Sequence, residues 1–319
     1  MLLSVIIVSY NEGRYISQAI ESCLSQVGID DYEIIIGDDG SSDNSLEIIK
    51  EYRNKYPDRI KYFVMDRDET GGVIGAIRAS NVIKAGLAVA KGKYINVMSA
   101  DDFFCDNQKF LKSIELLEQD KDDKYSAVVS QYKKVWDNGD EEIVLNFPMP
   151  FKLFWSGGYI HISCFIFRRD VYTKKLLLPR FCDDIGLIFS IGLLGEFYYI
   201  DDVMFAYRQR SGSIMHASDK LELCILEILV LQDILNVNRK LYATLSRMRK
   251  HIAYLYKNRR DLNNDKYLKY RVSANMFSNN ILDKVAKSNS IKFSVFRVVN
   301  SINSRIWGLR RSIYKRVKL

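Results

Sequence analysis

Gly92-Lys93-Tyr94-Ile95-Asn96-Val97-Met98-Ser99-Ala100-Asp101-Asp102 is the stretch on which the reading of this 319-residue chain turns. The run from Tyr94 to Met98 is mostly apolar, opened by Gly92 and closed by two carboxylates. Its length and composition suit a buried strand rather than a helix. Asp101 and Asp102 then stand where the strand leaves the sheet, and in open α/β sheets that carboxyl edge is where ligands bind. Adjacent like charges are costly unless a cation or hydrogen-bond donors neutralise them. A divalent cation shared with phosphate oxygens is one answer, because hard cations take carboxylate oxygens. A solvated turn ahead of a helix cap is the other.

Upstream, strands and helices alternate. Ser4 to Ser9 reads as a buried first strand running into the turn Tyr10-Asn11-Glu12-Gly13, followed by a helix over 15–25. Asp31 to Gly37 is a second strand ending at Asp38-Asp39-Gly40-Ser41-Ser42-Asp43, after which a helix runs to about residue 56. Ile60 to Val64 is a third strand, Gly71-Gly72 a loop, and 76–90 a helix of apolar spacing. This alternation predicts βαβ units, a parallel sheet and right-handed crossovers. No GxGxxG follows the first strand and no GxxxxGK[ST] occurs anywhere, which counts against a dinucleotide oxidoreductase and a P-loop NTPase. Instead three strands deliver polar residues to one edge: Tyr10 and Asn11, Asp38 and Asp39, Asp101 and Asp102.

Downstream the pattern changes. A helix over 106–119 precedes an alternating strand, Tyr125 to Trp136, then an Asn138-Gly139 hairpin signal and a return strand, Glu141 to Leu145. Ile160 to Phe167 is strand-like and is expected beside the first sheet. Cys182-Asp183-Asp184 opens an apolar helix reaching Leu194, and Asp201-Asp202 reads as a structural turn between two short strands. The basic segment Arg208-Gln209-Arg210 follows. Trp155 precedes a Gly pair in a loop and is a candidate either for an acceptor site or, equally, for a buried anchor. After Ser218 the chain reads as helical, with a strongly apolar stretch from Leu221 to Val237 suited to packing or to a homodimer.

Composition bounds the rest. Hydrophobic residues make up 48% and charged residues 27%, which supports a sizeable core and argues against global disorder. The five cysteines lack CxxC spacing, which fits a reducing compartment and argues against a zinc site. No signal peptide or spanning helix is expected. The net charge of +8 is concentrated after residue 283, where ten Lys and Arg stand without one Asp or Glu, leaving 1–283 at about −2. Residues 291–319 alternate apolar and basic positions as a basic amphipathic helix does, which suits an anionic membrane surface over 284–319.

Val5-Ile6-Ile7-Val8-Ser9-Tyr10-Asn11-Glu12, Glu33-Ile34-Ile35-Ile36-Gly37-Asp38-Asp39-Gly40-Ser41-Ser42-Asp43, Ala90-Lys91-Gly92-Lys93-Tyr94-Ile95 and Ala100-Asp101-Asp102 together resemble family 2 glycosyltransferases. The likeness spans about residues 3–215. It implies an α/β GT-A fold, a Rossmann-like mixed sheet flanked by helices, here with a C-terminal helical appendage. The implied division is a glycosyltransferase domain over 1–217, with a nucleotide-binding half (1–102) and an acceptor half (103–217), then a helical region over 218–319. It implies transfer from a nucleotide-sugar, with inversion, and usually Mn2+ or Mg2+ as cofactor. By the same resemblance Val8, Tyr10, Glu12, Asp39, Arg78, Ser99 and Ala100 contact the nucleotide, and Arg78 meets the diphosphate. A carboxylate at Asp39 can accept the imide N–H of uracil or thymine, which favours UDP or dTDP. Asp101 matches the last acid of the family's DxD motif, the usual metal ligand, while Ser99 stands at the first acidic position. Asp183 and Asp184 match an acidic pair whose second member serves as general base. Arg208, Arg210 and His216 fall where relatives place diphosphate and metal contacts, and many relatives carry histidine at the position of Arg210.

The resulting expectation is an inverting glycosyltransferase acting on a glycan or a polyprenyl-diphosphate-linked acceptor, cytoplasmic and peripheral at the inner membrane face. Two other classes compete. A catalytically degenerate scaffold is motivated by Ser99, and a nucleic-acid binder by the basic tail. The slightly acidic main domain and the lack of any RNA or DNA motif favour no nucleic-acid partner.

Overall fold

In a computed structural model, residues 1–66, 75–146, 148, 160–170 and 184–210 are described, with 221, 224, 225, 227, 228, 230, 231, 251 and 254 in the C-terminal part. The chain separates into two compact units, one of residues 1–148 and 160–214, the other of 149–159 and 215–319.

The first unit begins with β1 (Leu3–Ser9), α1 (Ile16–Leu24), β2 (Tyr32–Asp38), α2 (Ser45–Lys55), β3 (Ile60–Val64), α3 (Gly75–Val89) and β4 (Tyr94–Ser99). These four strands are parallel, in the order β3-β2-β1-β4. Val5, Ile6 and Ile7 of β1 and Ile34, Ile35 and Ile36 of β2 are all buried. A parallel strand covered on both faces has no polar side to show, so its sequence is a continuous apolar run. α1 buries Ile16, Ala19, Ile20 and Cys23, one stripe of a 3.6-residue period. Gly92 is required where the chain enters β4: a Cβ there would lie 2.4 Å from the Ser4 backbone nitrogen.

The sheet continues antiparallel from β4 to β8 (Phe165–Arg168) and on to β6 (Tyr125–Trp136), which pairs in parallel with β9 (Glu196–Gln209). β5 (Phe103–Phe104) closes the far end against β9, and β7 (Glu141–Val144) pairs with β6. α4 (Lys109–Gln119) and α5 (Asp184–Leu194) complete the described elements. Lys109 is fully buried here. It donates to the Ser130 hydroxyl (3.0 Å) and the Cys164 carbonyl (3.1 Å), and burial pulls its pKa down to about 8.

Two expectations are corrected. Asp201 and Asp202 do not form a turn between two strands, because β9 runs through them. Its register against β6 jumps from Val129↔Tyr199 to Gln131↔Val203. The extra residues form a bulge, which keeps the strand while disrupting the ladder locally. Asp202 points out to Lys112 at 2.7 Å. Ile160 to Phe167 is likewise not one strand: a 3-10 turn, Ile162–Cys164, precedes β8. Here the Asn96 side chain donates to the Ser163 and Phe165 carbonyls, taking the place of backbone partners.

In the second unit Leu221, Cys224, Ile225, Ile228 and Leu231 are buried. The Gly71-Gly72 loop and residues 284–319 lie outside the described residues. No helix among the described residues is long and apolar enough to cross a membrane.

Candidate active site

The carboxyl ends of β1, β2 and β4 stand level, since Ser9 pairs with Asp38 and Val8 with Ser99. The chain continues the same register beyond the strands: the Asp39 N–H donates to the Ser9 carbonyl and the Ala100 N–H to the Val8 carbonyl, both at 2.9 Å. Asp39 and Asp101 therefore flank the end of β1. With neighbouring strands about 4.8 Å apart, they lie roughly two strand spacings from each other.

On the β2 side the loop is built locally. Asp38 accepts from the Ser41 N–H (2.7 Å) and hydroxyl (2.6 Å), closing a turn that Gly40 permits with a φ of 73°. Asn11, at φ 55°, takes the Ser42 N–H on its side-chain oxygen and donates its own N–H to the Ser41 hydroxyl, both at 2.8 Å. Asn tolerates this left-handed conformation better than most residues. Asp39 is thus separated from its structural neighbour Asp38, and its Oδ2 accepts from Arg78 Nε at 2.7 Å. Arg78 also reaches the Asp66 carbonyl (3.3 Å). Expected at a diphosphate, Arg78 is engaged with the acid expected at the base. Tyr10 is exposed at 38%.

On the β4 side the acids are buried and their partners come from β9 and the segment after it. Asp102 Oδ1 accepts the Arg208 N–H (2.9 Å), while its Oδ2 is buried without a hydrogen bond among the described residues. Arg208 donates through Nε to the Asp101 carbonyl (2.9 Å) and through Nη2 to Gln18 (2.6 Å), over the ring of Tyr15. Arg210 donates through Nε to Asp101 Oδ2 at 2.9 Å and through Nη2 to Glu12 Oε1. Burial raises the Glu12 pKa to about 7; Asp101 adds to the rise and Arg210 opposes it. Burial, and then Asp101, raise Asp102 well above the usual carboxylate range.

His161, given no role from sequence, sits beside these acids. Its ring lies 4.6 Å from that of Tyr207 and 5.1 Å from that of Phe205, with Nε2 4.0 Å from Asp102 Oδ2. Burial lowers its pKa, and Asp184 and Asp101 oppose that. Tyr207 is pushed up to about 12 by burial and then by Asp102, Asp101 and Asp184. One histidine–tyrosine pair therefore senses both the acids after β4 and the acid that opens α5. The only sequence signal for His161 was a histidine at the head of an apolar run.

The donor set fits a tightly held divalent ion poorly. Ser99 offers a hydroxyl where an acid is expected, and Arg210 already holds one oxygen each of Asp101 and Glu12. No three His, Cys, Asp or Glu side chains converge as a metal site among the described residues. Asp183, Trp155 and His216 lie outside the described residues.

Among known proteins, the profile described as Glycosyl transferase family 2 matches residues 4–174, more than half of the chain. The chain is 29% identical over 234 residues to Glycosyltransferase GlyG of Streptococcus pneumoniae serotype 4, covering 67% of this chain and 73% of that protein. It is 38% identical over 104 residues to the poly(ribitol-phosphate) beta-glucosyltransferase of Bacillus spizizenii, covering 32% of this chain and 15% of that one. Among solved structures, S. aureus TarS 1-349 in complex with UDP-GlcNAc matches with a TM-score of 0.59 at 17% identity, over 96% of this chain and 90% of that one. The mannosyltransferase PcManGT from Pyrobaculum calidifontis, in complex with GDP-Man and Mn2+, matches with a TM-score of 0.51 at 15% identity, over 95% and 84%. At such identities these structures speak for the fold alone, and it is the GT-A arrangement of a mixed sheet with flanking helices. The profile match speaks for descent: the chain belongs to glycosyl transferase family 2 and is a glycosyltransferase.

Proposed function

We propose that the chain moves a sugar from a UDP-sugar to a hydroxyl of a growing or lipid-linked surface polysaccharide, by a single inverting displacement. The observation that carries this reading is the convergence of acids around the end of β1. Asp39 stands on one side and Asp101 on the other, with His161 Nε2 4.0 Å from Asp102 beside it. Asp39, held by Arg78, accepts the uracil N–H, and Tyr10 lies beside the base. Val8, Ser99 and Ala100 border the ribose. Glu12, Asp101, Arg208 and Arg210 lie at the diphosphate end. Asp184 takes the proton of the acceptor hydroxyl as that oxygen attacks the anomeric carbon. When a divalent ion is bound in GT-A enzymes it supplies positive charge for the departing diphosphate.

The acceptor class rests on the name of one relative, the poly(ribitol-phosphate) beta-glucosyltransferase, of whose length this chain covers 15%. A peripheral membrane position rests on the basic residues of 284–319. Equal flotation with anionic liposomes of the full chain and of one ending at 283 removes that part.

Asp184→Asn tests the mechanism. UDP binding by calorimetry is expected to be unchanged, and transfer to fall by roughly 10²–10⁴-fold, the usual worth of a general base. Retained transfer moves the base elsewhere.

A further inference from the structure

We propose that Arg210 is the resident cation of this site: its guanidinium, held between Asp101 and Glu12, meets the donor diphosphate, and the reaction needs no divalent metal. The inference rests on the nucleotide-sugar reading above. Its ground is geometric. A metal ion at the end of β4 would need oxygens of Asp101 and its neighbours, and the guanidinium has them: Nε is on Asp101 Oδ2 at 2.9 Å and Nη2 is on Glu12 Oε1. Both carboxylates are buried, so their orientation is fixed. The Arg210 guanidinium carbon also lies 5.3 Å from the centre of the Tyr15 ring, within cation–π range. Among the described residues the donations of Arg210 run from Nε and Nη2 alone, so both N–H groups of Nη1 remain for phosphate oxygens.

A second positive ion beside this fork would meet a like charge at hydrogen-bond distance from its own ligand. The chemistry does not demand one. As the acceptor oxygen bonds to the anomeric carbon, the bond from that carbon to the diphosphate oxygen breaks, and its electron pair stays on the diphosphate. The acceptor proton goes to Asp184. The phosphate oxygen gains one negative charge, and a fixed guanidinium can stabilise it without a metal.

The test is calorimetric titration of the full chain with UDP in EDTA and in Mn2+. The expected result is equal affinity within twofold in the two buffers, with Arg210→Ala losing tenfold or more in both. Arg210→His, which removes the fixed charge and supplies a metal ligand, is expected to bind UDP weakly in EDTA and to recover in Mn2+. Arg210→Lys keeps the charge without the fork, and retains part of the EDTA affinity. It covers the case in which the alanine variant does not fold, judged by thermal unfolding. A tenfold gain in wild-type UDP affinity with Mn2+ overturns the proposal and leaves the donor reading standing. Binding of no UDP in either buffer overturns both.

Discussion

The two sides of β1 hold their acids in different ways. On the β2 side the partners are nearer in sequence: Asp38 is satisfied by Ser41, three residues on, and Asp43 by Ser45, two residues on, and by Gly13, 30 residues before it. On the β4 side they are remote: Asp102 is held by Arg208 and Asp101 by Arg210, 106 and 109 positions later. The first side is therefore assembled within the β1–β2 half of the sheet, from residues no more than 39 positions apart. The second exists only once β9 has been laid beside β6. The first is a set of turns joining the ends of β1 and β2, and the second a charged clamp assembled by the fold.

The sharpest way to break this distinction is at Asp101. Asp101→Ala removes the acid that orients Arg210, and transfer is expected to fall by roughly 10²–10³-fold in kcat, as when one electrostatic stabiliser is lost. Uridine, which has no diphosphate, should bind as before. A loss below tenfold, measured in single turnovers, reduces Asp101 to a structural anchor. On the other side, Asp39→Ala is expected to weaken uridine and UDP alike, by roughly tenfold, the worth of one hydrogen bond to a charged group. If UDP weakens but uridine does not, Asp39 acts at the phosphate end and the contrast between the two sides is lost.

The same contrast explains what the sequence could tell. β1, β2 and β4 were readable because strands covered on both faces are mostly apolar runs, and α1 shows its period openly. β9 was not. An Asp pair in mid-strand looks like a turn unless the bulge against β6 is known, and a bulge depends on the partner strand. The positions of Asp39 and Asp101 just past strand ends and of Asp184 at a helix start were legible, because the element boundaries were. The clamp was not: Glu12 and Arg210 are 198 positions apart, and no local spacing carries that pairing. His161 escaped for the same reason, since its partners Tyr207 and Asp102 belong to other elements.

The smallest effects separate two buried charges. Glu33 on β2 is enclosed, and burial raises its pKa. Hydrogen bonds from Lys61 (2.7 Å), the Lys91 N–H (2.8 Å) and Ser4 (2.7 Å) outweigh that and leave it lowered. Its contribution is present above the unfolded value of about 4.3 and is lost as pH falls through it towards the folded value. Lys109 is lowered too, to about 8, but for a base that is a penalty. Below pH 8 the folded protein carries the buried ammonium in full. Between about 8 and the unfolded value of about 10.4 the folded state gives up its proton before the unfolded state does, so stability rises with pH. Both limbs slope upward, one because a well-held charge is gained and the other because a badly solvated one is shed. The gap in urea midpoint between wild type and Glu33→Gln should therefore widen as pH rises through the acid range, and the gap between wild type and Lys109→Met should change across about pH 8 to 10 in favour of wild type as the ammonium is shed, each variant leaving the other range unaffected. If the Lys109→Met gap is flat across about pH 8 to 10, the buried lysine is an ordinary ammonium well served by Ser130 and the Cys164 carbonyl.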